Sequence, residues 1–212
     1  MATDKIIAQN LLQIKAIKLN PQNPFTWASG MRSPIYCDNR ITLSHPAVRT
    51  IIKESFAGLV PSFGAIQMIS GVATAGIAHG VLLADHLQLP FSYVRSAPKE
   101  HGRQNQIEGE IPEGARILVV EDLISTGGSS LEVVEILRDK GYEVAGVLAI
   151  FDYGFEKAKQ NFMKSGCKYL TLSNYTTLIH EALETHYITS EEAAMLQLWS
   201  ANPQGWYNDH FQ

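Results

Sequence analysis

The chain has 212 residues, 45% hydrophobic and 18% charged, with a formal net charge of −4. That size allows one α/β domain with a small appendage and a substantial buried core. There is no basic excess to suggest nucleic acid and no apolar run of about 18 residues to cross a bilayer. Met1 to Lys5 leads into amphipathic sequence without a signal-peptide core. Cys37 and Cys167 lie far apart in no metal-ligand spacing, so a reduced, cytoplasmic setting is expected.

From Asp4 to Ile17 the apolar residues Ile6, Ile7, Leu11, Leu12 and Ile14 form one stripe, which predicts a helix packed on the body. Phe25-Thr-Trp-Ala and Ile35-Tyr-Cys-Asp flank a Ser29-Gly30 turn, which predicts an antiparallel hairpin. Because this region precedes any β-α alternation, residues 1–43 are expected to form a helix and a hood. The hood would sit over one end of a sheet built by residues 44–212, the whole being a single domain. Ser44 is a good N-cap, with Pro46 in the first turn, for a helix to about Leu59. Ala65 to Ser70 predicts a strand, and Gly71-Val-Ala-Thr-Ala-Gly-Ile-Ala a small-residue turn into a helix. That turn has two readings, close approach of an anion to the backbone or close packing of strand on helix.

Phe91 to Arg95 predicts another strand. Arg95 to Gly109 then runs for about fifteen residues without an apolar period, and loops of that length in compact domains are usually functional or disordered. Arg95, Lys99, Arg103 and His101, together with glycines, suit a mobile lid carrying charge to a polyanion. A solvated surface loop is the alternative reading.

Ile117 to Val120 are consecutive, mostly β-branched apolar residues, the pattern of a strand buried on both faces of a parallel sheet. Two carboxylates follow, Glu121 and Asp122, then a loop of hydroxyls and glycines from Ser125 to Ser130. A helical period begins at about Ser129, with Leu131, Val134, Ile136 and Leu137 apolar. Free N–H groups of such a loop and of the first helical turn converge where the helix dipole favours an anion. Gly127 and Gly128 let the backbone close around a phosphate. Two acids beside a phosphate site repel it unless the ligand also brings hydroxyls or a hydrated Mg²⁺, as a ribose 5-phosphate does. A P-loop is excluded because no lysine follows the glycines, and Gly-x-Gly-x-x-Gly is absent.

Further on, Glu143 to Phe151 and Lys168 to Leu172 predict strands. Gly154 to Gly166, Tyr175 to Glu184 and Ser190 to Trp199 predict helices. Alternation from Ala65 onward predicts an α/β fold, an open, mainly parallel twisted sheet with helices on both faces. Ala73, Arg95, Asp122 and Asp152 fall at the carboxyl ends of its strands, where ligands bind in such sheets. The aromatic tail from Gly205 to Phe211 would dock on the core or on a partner.

With Glu121-Asp122 four positions ahead of Ser-Thr-Gly-Gly-Ser, this stretch resembles the phosphoribosyl-pyrophosphate (PRPP) signature of the type I phosphoribosyltransferases. The hood segment Phe25-Thr-Trp-Ala-Ser-Gly-Met-Arg-Ser-Pro, the lid Arg95-Ser-Ala-Pro-Lys-Glu-His-Gly and the following Gln-Asn-Gln-Ile-Glu-Gly are similar to the shorter bacterial orotate phosphoribosyltransferases. The resemblance spans essentially the whole chain. It implies transfer of ribose 5-phosphate from PRPP to N1 of orotate in pyrimidine synthesis, with Mg²⁺ as cofactor and a homodimer whose lids complete one another's sites. It also assigns residues. Arg95, Lys99 and His101 would meet the pyrophosphate, His101 either in proton transfer or as a simple phosphate ligand. Glu121 and Asp122 would hold the ribose hydroxyls and stabilise the cationic sugar, with Mg²⁺ bound through PRPP near them and no direct protein ligand set. Lys99, His101 and Asp122 are the implied catalytic residues. Ser125, Thr126, Gly127, Gly128 and Ser129 would cradle the 5′-phosphate, with Leu123 and Ile124 completing the PRPP-binding run. Ser125 would also reach orotate.

Ser96, Ala97, Ala75 and Ala28 stand where other members carry lysine. This leaves the reaction type intact but opens the question of which cation meets the orotate carboxylate, Arg32 and Arg40 being the candidates. Rival readings are transfer to uracil or a purine, and a PRPP- or nucleotide-sensing regulator without catalysis. The net charge of −4 and the Lys99-His101 lid speak against the regulator.

Overall fold

A computed structural model describes residues 2–95 and 106–211. The lid positions Lys99 and His101, with Ser96 and Ala97, lie outside the described residues.

Helix α1 (Thr3–Gln13) buries Ile7, Ala8, Leu11 and Leu12. It ends short of the expected Ile17, since Lys15 takes a left-handed φ of 58° and redirects the chain into strand β1 (Ile17–Leu19). Strands β2 (Phe25–Thr26) and β3 (Arg32–Ser33) pair antiparallel around the expected turn, where Gly30 has φ +85°. The predicted second arm of that hairpin is corrected, because β4 (Ile35–Cys37) pairs with β1 instead. Pro34 separates the two ladders: it has no N–H to continue the first, and its carbonyl accepts from the Asn20 N–H at 2.7 Å.

A 3-10 segment, Asn39–Ser44, leads to α2 (Pro46–Leu59). Ser44 belongs to that 3-10 turn, so His45 rather than Ser44 is the N-cap, and no side chain caps the helix. Then come β5 (Met68–Val72), three residues later than expected at its start, α3 (Ala75–Leu87) and β6 (Phe91–Val94). The return leg of the predicted loop is not structureless. Strand β7 (Ile107–Glu108) pairs antiparallel with β6, and the Arg95 N–H donates to the Gln106 carbonyl at 2.9 Å. The remainder is β8 (Arg116–Ile124), α4 (Gly128–Asp139), β9 (Glu143–Asp152), α5 (Glu156–Lys164), β10 (Tyr169–Asn174), α6 (Tyr175–Glu184), α7 (Ser190–Ala201) and α8 (Trp206–Phe211).

The six-stranded sheet has the order β10-β9-β8-β5-β6-β7, parallel except for the β7 edge. This is the open, mainly parallel sheet expected from the alternation. Strand β8 shows why its apolar run is continuous: Leu118 and Val120 enter one core with Ile52, Phe56, Leu178 and Trp199, while Ile117 and Val119 enter the other with Val133, Leu137 and Phe162. The order reverses between β5 and β8, which sets a crevice at their carboxyl ends. Among the described residues, no helix is long and apolar enough to cross a membrane.

Candidate functional site

Strand β8 continues past Val120 because its ladder with β9 runs on to Ile124 opposite Asp152. Glu121 and Asp122 are therefore strand residues, and their carboxyl groups interact with each other. Glu121 is 4% exposed. Its carboxylate accepts from the Asp122 N–H at 3.0 Å, the Ser129 hydroxyl at 3.1 Å and the Ser130 hydroxyl at 3.3 Å. Burial, and after it the adjacent Asp122 charge, pushes the Glu121 carboxyl up to about 8. Asp122 is only half-buried, and burial raises it as well. The Asp122 carbonyl accepts from the Asn39 side-chain amide at 2.7 Å, which ties the 3-10 segment to the strand.

After Ile124, which is fully buried in the core, the chain turns through Ser125, Thr126 and Gly127 into α4. Leu123 is half-buried beside it. Gly127 has φ +78°, and a Cβ there would stand 2.6 Å from the Phe162 ring. The sequence reading explained both glycines by a phosphate. The fold alone requires Gly127, whereas a Cβ on Gly128 would meet nothing closer than Thr126 Oγ1 at 3.8 Å. Asn161 of α5 fixes the turn by donating to the Thr126 carbonyl at 2.9 Å. The N–H groups of the first turn of α4 are left without helical acceptors and open at this loop.

The Gly71 turn meets the packing reading. A Cβ on Gly71 would lie 3.0 Å from the Gly76 carbonyl, and one on Gly76 would lie 2.4 Å from the Val120 carbonyl. These glycines bring α3 against β5 and β8. Arg95 stands at the end of β6 with its guanidinium 3.9 Å from the Glu108 carboxylate across the β6–β7 pair. Asp152, at the end of β9, accepts from the Gly154 N–H at 2.7 Å, closing its own turn.

A cavity of about 670 Å³ opens beside the Ser125–Thr126 turn. The hood contributes Trp27, Ala28, Ser29 and Met31 to it, the segment after β9 contributes Phe155, Glu156 and Lys157, and the chain after Trp199 contributes Ser200, Ala201, Pro203 and Gln204. Its aromatic side is rigid. Trp27 lies 5.1 Å from the Tyr153 ring, Tyr153 stacks on Phe155 at 5.4 Å, and Trp199 meets Phe155 edge-on at 5.6 Å. The Trp27 indole N–H donates to the Ile35 carbonyl at 3.0 Å, which orients the ring.

Neither Arg32 nor Arg40 lines this cavity. Arg40 is paired with Asp38 through two nitrogens at 2.6 and 2.9 Å. The Arg32 guanidinium lies 4.5 Å over the Tyr207 ring and donates to the Pro24 carbonyl. The aromatic tail thus docks on its own chain, with Trp206 1% exposed. The sequence reading gave no role to Phe155, Lys157, Ser200 or Gln204. Phe155 and Lys157 follow the carboxyl end of a parallel strand, so strand position was the signal that could have found them. Ser200 and Gln204 carried none. Among the described residues, no group of three or more His, Cys, Asp or Glu side chains comes together as a metal site.

Residues 41–184 match the phosphoribosyl transferase domain family. The chain is 51% identical to the orotate phosphoribosyltransferase of Porphyromonas gingivalis, over 95% of this chain and 97% of that one. The crystal structure of orotate phosphoribosyltransferase from Aeropyrum pernix aligns with a TM-score of 0.75 at 28% identity, covering 86% of this chain and 99% of that chain. The UMP synthase of Leishmania donovani aligns with a TM-score of 0.79 at 25% identity, covering 93% of this chain and 42% of that longer one.

Proposed function

The chain belongs to the orotate phosphoribosyltransferases, enzymes that move the 5-phosphoribosyl group from PRPP to N1 of orotate in pyrimidine synthesis, and we propose how its residues divide that reaction. The observation that carries the division is that Ser125 and Thr126 belong at once to the turn before α4 and to the lining of the aromatic cavity. A phosphate held by the backbone from Ser125 to Ser129, with Leu123 and Ile124 bringing the strand up to it, leaves the sugar over Asp122. A flat base then occupies the cavity between Trp27 and Phe155, with Ser125 at its edge.

In the reaction the N1 lone pair attacks C1′, the C1′–oxygen bond breaks, and its electron pair leaves on pyrophosphate while N1 gives up its proton. Positive charge grows on the sugar and negative charge on the leaving group, so the chain acts mainly by position and charge. Asp122, the more open of the two acids, faces the developing cation and the ribose hydroxyls. Glu121 reaches those hydroxyls only by giving up Ser129 and Ser130. Arg95, released from Glu108, joins Lys99 and His101 on the pyrophosphate. His101 either donates to the leaving oxygen or takes part in proton transfer. Closing the lid excludes water, the competing nucleophile.

Mg²⁺ fits this donor set as an ion carried by substrate. Glu121 is buried and engaged by three internal donors, so the half-buried Asp122, which also meets the Glu121 carboxyl, is the acid that would face the ion, PRPP oxygens supplying the rest. Bound there, the ion would offset charge on the pyrophosphate. We further place the enzyme in the cytoplasm as a homodimer that shares its lids.

The test is release of pyrophosphate from PRPP and Mg²⁺ with each base in turn. Release is expected with orotate alone, and release with uracil or hypoxanthine instead would overturn the base assignment. Lys99→Ala should lower turnover far more than binding of the nucleotide monophosphate, since its partner is the departing group. Equal loss of both would contradict that role.

A further inference from the structure

We propose that Lys157 is the cation that receives the carboxylate of the acceptor base and so sets the preference for orotate over uracil. The inference rests on the reading of the aromatic cavity as the base pocket and adds the group that reads the substrate's charge.

Orotate differs from uracil by a carboxylate on C6, next to the N1 that is ribosylated. In a partly desolvated pocket that carboxylate needs a cationic donor, because an unpaired buried charge is costly. Lys157 is the one Lys or Arg among the described residues that line the cavity. Its side chain is exposed, and among the described residues it makes no ion pair or side-chain hydrogen bond. Among the described residues the one acid in the lining is Glu156, and its carboxylate lies 3.8 Å from the Lys159 ammonium. Lys157 is therefore not spoken for by its neighbour. Two other cations near the hood are engaged elsewhere, Arg40 by Asp38 and Arg32 by Tyr207 and the Pro24 carbonyl.

The ordinary reading of such a residue is a solvated surface lysine. Two observations weigh against it. Lys157 sits in the first turn of α5, where the helix dipole disfavours a cation. It also follows Phe155, the residue that forms the cavity's aromatic side, so a base stacked there brings its ring substituents within reach of a four-carbon side chain. Lys157 touches substrate through binding and takes no part in breaking the C1′–oxygen bond. Its loss should therefore act on recognition of the base.

Steady-state kinetics of the full chain with PRPP, Mg²⁺ and orotate test this with Lys157→Ala, Lys157→Arg and Lys157→Glu. A lost charge-assisted hydrogen bond predicts a rise in the orotate KM of about ten- to a hundredfold for Lys157→Ala. The PRPP KM should stay unchanged and kcat nearly so. Lys157→Arg should recover most of the loss, Lys157→Glu should exceed it, and the orotate-to-uracil preference should narrow in both the Ala and Glu variants. The side chain is exposed, so circular dichroism should report wild-type folding for all three. Wild-type turnover of orotate with an unaltered orotate KM in Lys157→Ala would overturn the Lys157 assignment and leave the base pocket standing. Absence of wild-type turnover on orotate would overturn both.

Discussion

The Asn39 side-chain amide donates a 2.7 Å hydrogen bond to the backbone carbonyl of Asp122, a residue 83 positions later in the chain. Asn39 is fully buried, and the Thr42 hydroxyl donates to its carbonyl at 2.5 Å. Thr42 has one hydroxyl proton, so its 3.2 Å contact with His79 requires the imidazole to donate from Nε2. Burial, and then the charge of Arg49, pushes the His79 ring down to about 4, which keeps it neutral in that donor role. A buried polar chain thus runs from α3 through the 3-10 segment to the strand that carries the acids.

Asn39→Ala leaves the Asp122 carbonyl without its donor, which should cost about 1–3 kcal/mol of stability. Because the carbonyl belongs to the residue proposed to face the sugar, kcat/KM for PRPP should fall about tenfold or more. Urea denaturation and steady-state kinetics check both, and a destabilised enzyme with wild-type kinetics would show that the bond is structural only.

Stability should respond to Glu121 from the alkaline side. Its carboxyl is raised from an ordinary 4.5 to about 8 in the folded chain. The folded state therefore holds the proton more tightly, so its contribution is fully present below pH 4.5 and is lost as pH rises through 8. The melting temperature should decline across that window by about 2–4 °C for each kcal/mol lost. Glu121→Gln should flatten the decline. Parallel curves for the two proteins would contradict the shift.

The glycines of the turn before α4 should separate. Gly127→Ala combines a φ of +78° with a Cβ 2.6 Å from Phe162, and should cost about 2–4 kcal/mol. Gly128→Ala meets nothing closer than 3.8 Å and should leave the melting temperature nearly unchanged while raising the KM for PRPP. Thermal melting and PRPP titration of both variants test this. A Gly128→Ala enzyme with unaltered PRPP affinity would argue against a phosphate at that backbone.

Arg32 over Tyr207 joins the hood, which lines the cavity, to the tail, which follows the cavity residues Pro203 and Gln204 directly. Loss of a cation–π contact worth about 0.5–2 kcal/mol predicts that Tyr207→Ala raises the orotate KM about two- to thirtyfold. Arg32→Ala should match it, and the double variant should be no worse than either alone. Additive effects would mean that the two residues act separately.

Much of the core was legible because burial writes itself into local sequence. The two-sided apolar run of β8, the change of period at α4 and the strand-helix alternation each depend on a face that must leave water. The hood was less legible. Its turn at Ser29-Gly30 was visible, but Ile35–Cys37 was assigned the wrong partner because a short strand carries no mark of what it pairs with. Likewise Ile107–Glu108 has no apolar period of its own and becomes a strand only because β6 offers an open edge.

The sequence by itself determined the reaction class, because a backbone cradle for phosphate needs contiguous residues of set types, and contiguous residues can be read in order. Which acid turns inward, which arginines are already engaged, and which lysine lines the cavity were decided only by tertiary structure. Those outcomes depend on segments as distant as Trp27, Lys157 and Gln204 meeting around one cavity. Pairing and desolvation are properties of such meetings in space, and no local pattern encodes them.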